Sequence, residues 1–446
     1  MKKAAPYLLV GAILLALVSG SLLTTGMFMD GLIYSNVAAN MTGGVGSFWH
    51  PVYTTTHHPD FYQHPPLALG LLALFYKALG VRLWVTKAYM VLTMLLCAWL
   101  TVRLWRRLGG KRENGWMPLL LWTLIPIVTR FANQCMLENT MVLFDLGAIL
   151  LLLRPNRKML NGLLAGLLLA AAFLTKGFVG LFPLVLPLLL WLFDRRKGML
   201  MQTLFMLVGL LLPLAVIAIS APEARVYFDN YLHLQVLAGW SQYEVHRWQI
   251  LVYFLRNIAI VVAIVVIVAI VNKGVGKPVP EHQALWMLVA CAVLPIMVST
   301  RQHEFYVLTA MPLVAVLSAL LIEEPLARWI KPSVLWLIVA VVASVVAVVL
   351  NVLNYGKPGR DAQLQRDLKV IAPYLERGEL VTVPTPLYFD YKLQGYYYRE
   401  CRVSLGDQER CRHLLTIDEY PVDSTYREVP LPTEKYKLYE IKTEKI

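Results

Sequence analysis

Long apolar runs with few or no charged residues dominate this sequence and predict helices that cross a membrane. A spanning helix needs about 20 residues, and five runs reach or approach that length: 7–29, 84–102, 198–220, 248–272 and 333–355. Six further runs are shorter: 116–129, 139–153, 159–175, 177–193, 283–300 and 305–322. Of all residues, 58% are hydrophobic and 15% are charged. We therefore predict an all-α polytopic membrane protein with about 11 transmembrane helices.

The basic residues predict the orientation of these helices. Lysine and arginine in short loops remain on the cytoplasmic side, and they cluster at residues 103–112, 154–158 and 195–197. Segment 66–79 is too short to span and is predicted to lie along the outer interface. The amino terminus is then cytoplasmic. We expect the first apolar run to be a retained helix and not a cleaved signal peptide. This topology accounts for the net charge of +13 without a nucleic-acid partner.

The tail differs in character from the membrane portion. Residues 356–446 are charged and rich in tyrosine, and the pattern predicts a helix at 361–375 and strands at 380–383, 412–417 and 437–442. We expect a membrane domain over 1–355, whose first outer loop covers 30–83 with interfacial helices, and a small α/β extracytoplasmic domain over 356–446. Cys401 and Cys411 could form a disulfide there, or remain two thiols.

Polar residues from several loops fall on the predicted outer side. Charged groups at helix ends near the bilayer are costly unless they face a cavity or one another, which predicts a common site. Its candidate members are Asp30, Tyr34, Tyr62, His64, Glu138, Lys176, Arg247, Arg301, His303 and Tyr306.

A divalent metal ion is a further candidate at this site. Imidazole and carboxylate groups suit such an ion, and His57, His58, Asp60 and His64 stand close together in the sequence. They lack the regular spacing of a recognised metal site, so histidines of an interfacial loop without metal are the alternative.

Several short motifs, taken in order, resemble a known group of membrane enzymes. The motifs are Asp30-Gly-Leu-Ile-Tyr34, Phe61-Tyr-Gln-His-Pro-Pro-Leu67, Met136-Leu-Glu138, Phe173-Leu-Thr-Lys-Gly177 and Arg301-Gln-His-Glu-Phe-Tyr306. Together they resemble membrane glycosyltransferases of the GT-C fold, in particular the protein O-mannosyltransferases and the lipid A aminoarabinose transferase. The resemblance spans most of the membrane portion and barely covers the tail.

The resemblance implies transfer of a hexose or pentose from a polyprenyl-phosphate donor, with inversion, to a lipid, glycan or protein acceptor. The enzyme would act on the outer face of a bacterial plasma membrane. Asp30 would be the catalytic carboxylate, and Lys176, Arg247, Arg301, His64 and His303 would supply charge near the phosphate.

Two positions depart from the family pattern. Gly31 stands where the family often has a glutamate, and Gln63-His64 replaces the Glu-Lys pair of the aminoarabinose transferase. The resemblance therefore does not imply a mechanism with two adjacent carboxylates for this sequence. It also does not imply a carboxylate metal ligand at residues 63–64.

Structural roles and other functions are the alternatives to transfer. Asp30 could cap the following helix, and Lys176 could reach lipid headgroups. A lipid-linked-sugar flippase or transporter, or a polysaccharide polymerase or ligase, would share the polytopic character and the lipid substrate.

Overall fold

The structure is a computed structural model that describes residues 4–238, 246–299, 301–330, 333–408 and 410–442. The predicted end of the 283–300 run lies outside these residues. The described helices are α1 (Ala5–Leu17), α2 (Met29–Thr42), α3 (Leu67–Leu79), α4 (Leu83–Arg107), α5 (Trp116–Leu124), α6 (Pro126–Phe131), α7 (Leu137–Leu152), α8 (Lys158–Lys176), α9 (Leu186–Asp194), α10 (Met199–Ser220), α11 (Pro222–Tyr231), α12 (Gln249–Val271), α13 (Pro280–Val293), α14 (Met311–Trp329), α15 (Val334–Leu353), α16 (Ala362–Ile371), α17 (Thr385–Tyr388) and α18 (Tyr391–Cys401).

Two compact units make up the chain. The first comprises Met1–Ser19, Tyr62–Ala68 and Ala88–Asn351, and the second comprises Gly20–Phe61, Leu69–Lys87 and Val352–Ile446, each as far as its residues are described. The second unit thus groups residues 20–61 and 69–87 with the tail, and a domain boundary at residue 356 stays a prediction.

Seven helical segments of the described chain are long and apolar enough to cross a membrane. They are Leu83–Arg107, Lys158–Asp194, Met199–Ser220, Gln249–Val271, Pro280–Val298, Glu304–Trp329 and Val334–Leu353. These segments and the small sheet described below confirm the predicted fold class. The total of about 11 spans is still a prediction.

One helix is the centre of the first unit. In Glu304–Trp329, 83% of the most apolar window is buried, against 17% in Met199–Ser220. A helix that is apolar on all sides can be buried by its neighbours or exposed to lipid. The sequences of α14 and α10 are similarly apolar, but α14 is buried by neighbouring helices and α10 is largely exposed.

Small residues allow close packing between α8 and α10. A Cβ atom at Gly166 would overlap the carbonyl oxygen of Met206, and one at Gly209 would overlap that of Leu163. Apolar burial cannot drive helix association within lipid, so van der Waals packing at small residues is the main source of attraction. The two glycines therefore fix the contact between these helices.

The predicted runs 7–29 and 116–129 differ from the observed helices, and the runs 159–175 and 177–193 form a single candidate span, Lys158–Asp194. Helix α1 ends at Leu17, whereas the predicted first run extends to residue 29. In the second unit, the backbone NH groups of Thr25 and Gly26 donate to the carbonyl oxygens of Lys357 and Pro358 at 2.9 and 2.8 Å. These bonds satisfy non-helical backbone that a continuous helix would have paired internally. Run 116–129 is likewise divided into α5 and α6 at Pro126, where proline removes a helical hydrogen bond.

The tail forms the predicted α/β fold. Its strands are β1 (Leu380–Thr382), β2 (Ser404–Gly406), β3 (His413–Ile417), β4 (Tyr426–Glu428) and β5 (Tyr436–Ile441). Their order in the sheet is β2-β1-β3-β5-β4. Strand β1 is parallel to β2 and β3, and β5 is antiparallel to β3 and β4. The predicted helix corresponds to α16, and the three predicted strands correspond to β1, β3 and β5.

The first loop and the tail share hydrogen bonds within the second unit. The side chain of Asn36 in α2 donates to the carbonyl oxygen of Gly395 at 2.9 Å. Arg402 donates to the side-chain oxygen of Asn40 at 3.0 Å, and the Thr56 hydroxyl donates to the Leu405 carbonyl at 2.7 Å. Buried polar groups need such partners, so these contacts tie α2 and the loop after it to α18 and β2.

A single carboxylate fixes the start of β5. Asp367 of α16 is 1% exposed, and it accepts hydrogen bonds from the backbone NH groups of Glu434, Lys435 and Tyr436 at 2.8, 2.8 and 2.9 Å. Hydrogen bonds to a charged acceptor contribute about 1.5–3 kcal/mol each. The helix therefore holds the strand through one side chain.

We predict that Asp367→Asn destabilises the tail, because an amide offers one acceptor oxygen to three backbone NH donors. The loss should be about 2–4 kcal/mol, judged from the strength of such bonds. Asp418→Asn is the matched control, since Asp418 is exposed and pairs with Lys437 at 2.6 Å, and surface pairs contribute about 0–1 kcal/mol. Thermal unfolding of both purified variants measures the difference. Equal midpoints would contradict the role given to Asp367.

Candidate active site

A cavity of about 800 Å³ lies within the first unit. Five separate parts of the chain line it, and four predicted site residues are among them: His64, Lys176, Arg301 and Tyr306. The apolar wall is formed mainly by Phe178, Val179, Leu181, Phe182, Val185, Leu232, Val236, Leu237, Pro295 and Ile296. The cavity therefore combines two basic side chains with an extended apolar surface.

Lys176 enters the cavity because α8 ends at this residue. Gly177 follows with φ of +78°, which a residue with a side chain adopts only at a cost. A Cβ atom there would also overlap the hydroxyl oxygen of Tyr231. Glycine is thus required for the chain to leave α8 and continue as a 3-10 helix over Gly177–Val185.

The Lys176 ammonium is buried in an ion pair with Glu138. The side chains are 3% and 0% exposed, and Lys176 Nζ donates to Glu138 Oε1. The same nitrogen lies 4.9 and 4.8 Å from the ring centroids of Phe305 and Tyr306, where a cation is attracted to the ring faces. The second Glu138 oxygen is buried without a hydrogen-bond partner. The predicted residues Glu138, Lys176 and Tyr306 therefore form one cluster.

Arg301 brings the second cation to the cavity. Its Nη1 donates to the side-chain oxygen of Gln235 at 3.0 Å, and both residues line the cavity. Gln235 lies in a π-helical turn over Leu232–Leu237, a local widening that is frequent at functional sites. Nothing in the sequence periodicity separates that turn from an ordinary helix, so Gln235 was not predicted.

His64 is a neutral member of the site. Burial lowers the pKa of its imidazole well below the usual value, and the charges of Lys176 and His303 lower it further. The Tyr227 hydroxyl donates to the His64 carbonyl oxygen. The lowered pKa favours the neutral ring, which can donate or accept hydrogen bonds. The contact of His64 with the donor phosphate stays a prediction.

Three other predicted residues of the first unit are placed differently. The ring of Tyr62 packs edge-on against Tyr227 with centroids 5.3 Å apart. His303 is exposed and stacks on Phe305 at 5.2 Å. Arg247 is also exposed, and its carbonyl oxygen accepts a hydrogen bond from Gln302 at 2.8 Å. None of the three lines the cavity among the described residues.

Asp30 and Tyr34 belong to α2 in the second unit. Phe28 is the N-cap of this helix and Asp30 lies in its first turn, so the alternative role of Asp30 as N-cap residue is wrong. A carboxylate in the first turn is favoured by the helix dipole. Tyr34 is 2% exposed and packs edge-on against Phe61.

The metal candidates His57, His58 and Asp60 also lie in the second unit. Asp60 pairs with His50 at 2.5 Å, and the rings of His57 and His58 lie 4.6 and 5.8 Å from that of Tyr391. Burial, and then the neighbouring His58, lower the pKa of His57 to about 4. Within the described parts of the chain, no group of three histidine, cysteine, aspartate or glutamate residues has the geometry to hold a metal ion.

A second ionic cluster borders the first. Glu304 pairs with Arg130 and Arg256, each at 2.6 Å, and accepts from the Asn257 side chain at 2.9 Å. Glu304 belongs to the same motif as Arg301, but its partners come from other helices. The hydropathy pattern predicts those helices without predicting which of their polar residues meet.

Comparison with known proteins supports the fold indicated by the motifs. The family model described as dolichyl-phosphate-mannose-protein mannosyltransferase matches residues 63–221. No curated protein sequence matches the chain.

Solved structures match nearly the whole chain. ArnT from Cupriavidus metallidurans bound to undecaprenyl phosphate is similar with a TM-score of 0.69 and 14% identity, over 97% of each chain. The archaeal oligosaccharyltransferase AglB from Archaeoglobus fulgidus, in complex with an inhibitory peptide and a dolichol-phosphate, is similar with a TM-score of 0.55 and 11% identity. That match covers 93% of this chain and 69% of AglB. The chain therefore has the GT-C fold that the ordered motifs predicted.

We predict that Lys176→Met costs about 3–5 kcal/mol of folding stability, because it leaves the Glu138 carboxylate buried without its partner. The double variant Lys176→Met, Glu138→Leu should lose less than Lys176→Met alone, since no buried charge remains. Thermal unfolding in one detergent provides the double-mutant cycle. Additive losses from the two single substitutions would show that the pair is not coupled.

Proposed function

We propose that this protein is an integral-membrane glycosyltransferase that uses a polyprenyl-phosphate-linked sugar as its donor. The observation that carries the proposal is the 800 Å³ cavity, where Lys176 and Arg301 join an apolar wall. A polyprenyl-phosphate sugar has the matching parts, namely an anionic phosphate attached to an isoprenoid chain. The GT-C fold and the match to the mannosyltransferase family model support the same substrate class.

Lys176 and Arg301 are proposed to bind the donor phosphate. Arginine can hold two phosphate oxygens at once, and lysine acts as a more localised charge. The ion pair with Glu138 leaves Lys176 able to serve a second anion, because an ammonium carries three donor hydrogens. The apolar wall between Phe178 and Val185 would then contact the first isoprene units of the carrier.

Asp30 is proposed to remove the proton of the acceptor hydroxyl. The hydroxyl oxygen attacks the anomeric carbon, and the bond from that carbon to the phosphate oxygen breaks. The bonding electron pair leaves with the phosphate, so the products are the glycosylated acceptor and polyprenyl phosphate. Attack opposite to the leaving group inverts the anomeric configuration.

Negative charge grows on the phosphate during this step. The donor phosphodiester carries one charge, and the released monoester carries up to two. Fixed cations stabilise that growth more than they stabilise the bound donor, which lowers the barrier. This is the reason for assigning Lys176 and Arg301 to the leaving group.

The acceptor is proposed to be a lipid, glycan or protein on the outer side of a bacterial plasma membrane. The distribution of lysine and arginine in the sequence supports this side for the first loop and the tail. A membrane domain over 1–355 and a tail domain over 356–446 are part of the same proposal.

We predict that Asp30→Asn lowers sugar transfer by about 10²–10⁴-fold, the usual contribution of a general base. The assay measures transfer of radiolabelled sugar from a panel of polyprenyl-phosphate donors in membranes that contain the protein. Asp229→Asn is the matched control, because Asp229 is an exposed aspartate that pairs with His233 at 3.6 Å. This control should retain the wild-type rate.

Three results separate the alternatives. A large loss confined to Asp30→Asn, with normal expression and folding, supports the proposed base. Equal rates in all three proteins would remove Asp30 from the mechanism. Movement of labelled lipid across the bilayer, without transfer from any donor, would favour a flippase.

A further inference from the structure

A second cavity, separate from the candidate active site, lies where α4, α7 and α8 approach one another. Its volume is about 510 Å³, and none of its lining residues lines the larger cavity. Its walls are formed by Trp99, Leu100, Arg103, Arg106, Arg107, Gly147, Leu150, Leu151, Arg154 and Leu168. All of these residues belong to the first unit. We refer to this cavity as the arginine groove.

Four arginines and no acidic residue line the arginine groove. Arg107 is partly neutralised by Glu281 at 3.3 Å and also donates to the Leu153 carbonyl. Its Nε atom is buried without a hydrogen-bond partner. Neither Arg103 nor Arg154 has an ion pair within the described residues. The groove therefore presents more positive charge than the single described carboxylate at its edge, Glu281, balances.

The rest of the groove is apolar. Arg103 lies over the ring of Trp99 at 5.4 Å, and that ring is 55% exposed. Gly147 keeps the floor open, because a Cβ atom there would come within 2.9 Å of Leu168 Cδ1. Leucines of α4, α7 and α8 complete the surface. An inorganic anion could bind the arginines but would make no contact with this apolar surface.

The position of the groove along the helices matches a lipid headgroup. Arg103, Arg106 and Arg107 lie in the last turns of α4, and Arg154 follows the last residue of α7 by two positions. The sequence predicts these helix ends at the cytoplasmic face. Basic pockets between transmembrane helices on that face bind the headgroups of anionic lipids. The positive-inside rule explains why arginines lie at these helix ends, but it does not explain why they line an apolar groove.

We propose that the arginine groove binds one anionic phospholipid. The headgroup phosphate is held by Arg103 and Arg154, and an acyl chain lies along Trp99, Leu150 and Leu168. The site is independent of the proposed transfer reaction, because it shares no lining residue with the candidate active site.

We predict that Arg103→Gln, Arg154→Gln weakens binding of dioleoyl phosphatidylglycerol by about thirty-fold, from the usual contribution of two basic residues near a membrane surface. Native mass spectrometry of the full chain, released from micelles with graded amounts of this lipid, measures the affinity of the first bound molecule. Arg195→Gln, Lys197→Gln is the matched control, since it removes two exposed charges from another basic loop. The control should bind as the wild type does.

Two further comparisons test the parts of the proposal. Dihexanoyl phosphatidylglycerol should bind more weakly than the dioleoyl lipid, and dioleoyl phosphatidylcholine should bind more weakly still. The substitution Arg103→Lys, Arg154→Lys should restore most of the affinity, which excludes misfolding as the cause of the loss. Equal weakening by the control pair, equal binding of the phosphatidylcholine, or equal binding of the short-chain lipid would each overturn the assignment.

Discussion

The buried ion pair between Lys176 and Glu138 is the constraint around which the membrane portion is arranged. Both side chains are almost fully shielded from water, and an isolated charge at such a position would be very costly. Each charge therefore requires the other, which holds the end of α8 against the start of α7. The aromatic rings of Phe305 and Tyr306 complete the enclosure of the lysine. Charged residues are rare in membrane-spanning segments and usually mark functional sites, which supports a functional role for this pair.

This pair also explains the local backbone. The helix must end immediately after Lys176 to leave the ammonium at the cavity, and Gly177 permits the sharp change of direction. The following 3-10 helix then supplies apolar side chains to the same cavity. A cation and the apolar surface proposed to contact the isoprenoid chain thus come from one continuous stretch of chain. Arg301 comes from a segment that is distant in sequence, so only the tertiary fold brings it to the same cavity.

Much of the fold follows from hydropathy. The long helices and, in the tail, α16, β1, β3 and β5 were predicted because their periodicity is strong and their neighbours in sequence are turns. The short strands β2 and β4 and the helices α17 and α18 were not predicted. The first run was predicted as too long a helix, because apolarity does not reveal that Thr25 and Gly26 bond to Lys357 and Pro358. That pairing joins positions more than 300 residues apart. Sequence periodicity carries no information on such contacts.

The site was predicted in part for a similar reason. Motif order brought His64, Lys176, Arg301 and Tyr306 into one group, and the structure places all four at one cavity. The same reasoning gave His64 a positive charge, whereas its burial and its neighbours Lys176 and His303 favour the neutral ring. Gln235 and the partners of Glu304 were missed, because their roles depend on which faces of distant helices meet.

A structure determined by electron cryomicroscopy with undecaprenyl phosphate added to the full chain tests the central claim most directly. We expect density for the phosphate within hydrogen-bond distance of both Lys176 and Arg301, and density for the isoprenoid chain along the wall between Phe178 and Val185. Lipid density elsewhere, with this cavity containing only solvent, would contradict the assignment of the cavity to the donor.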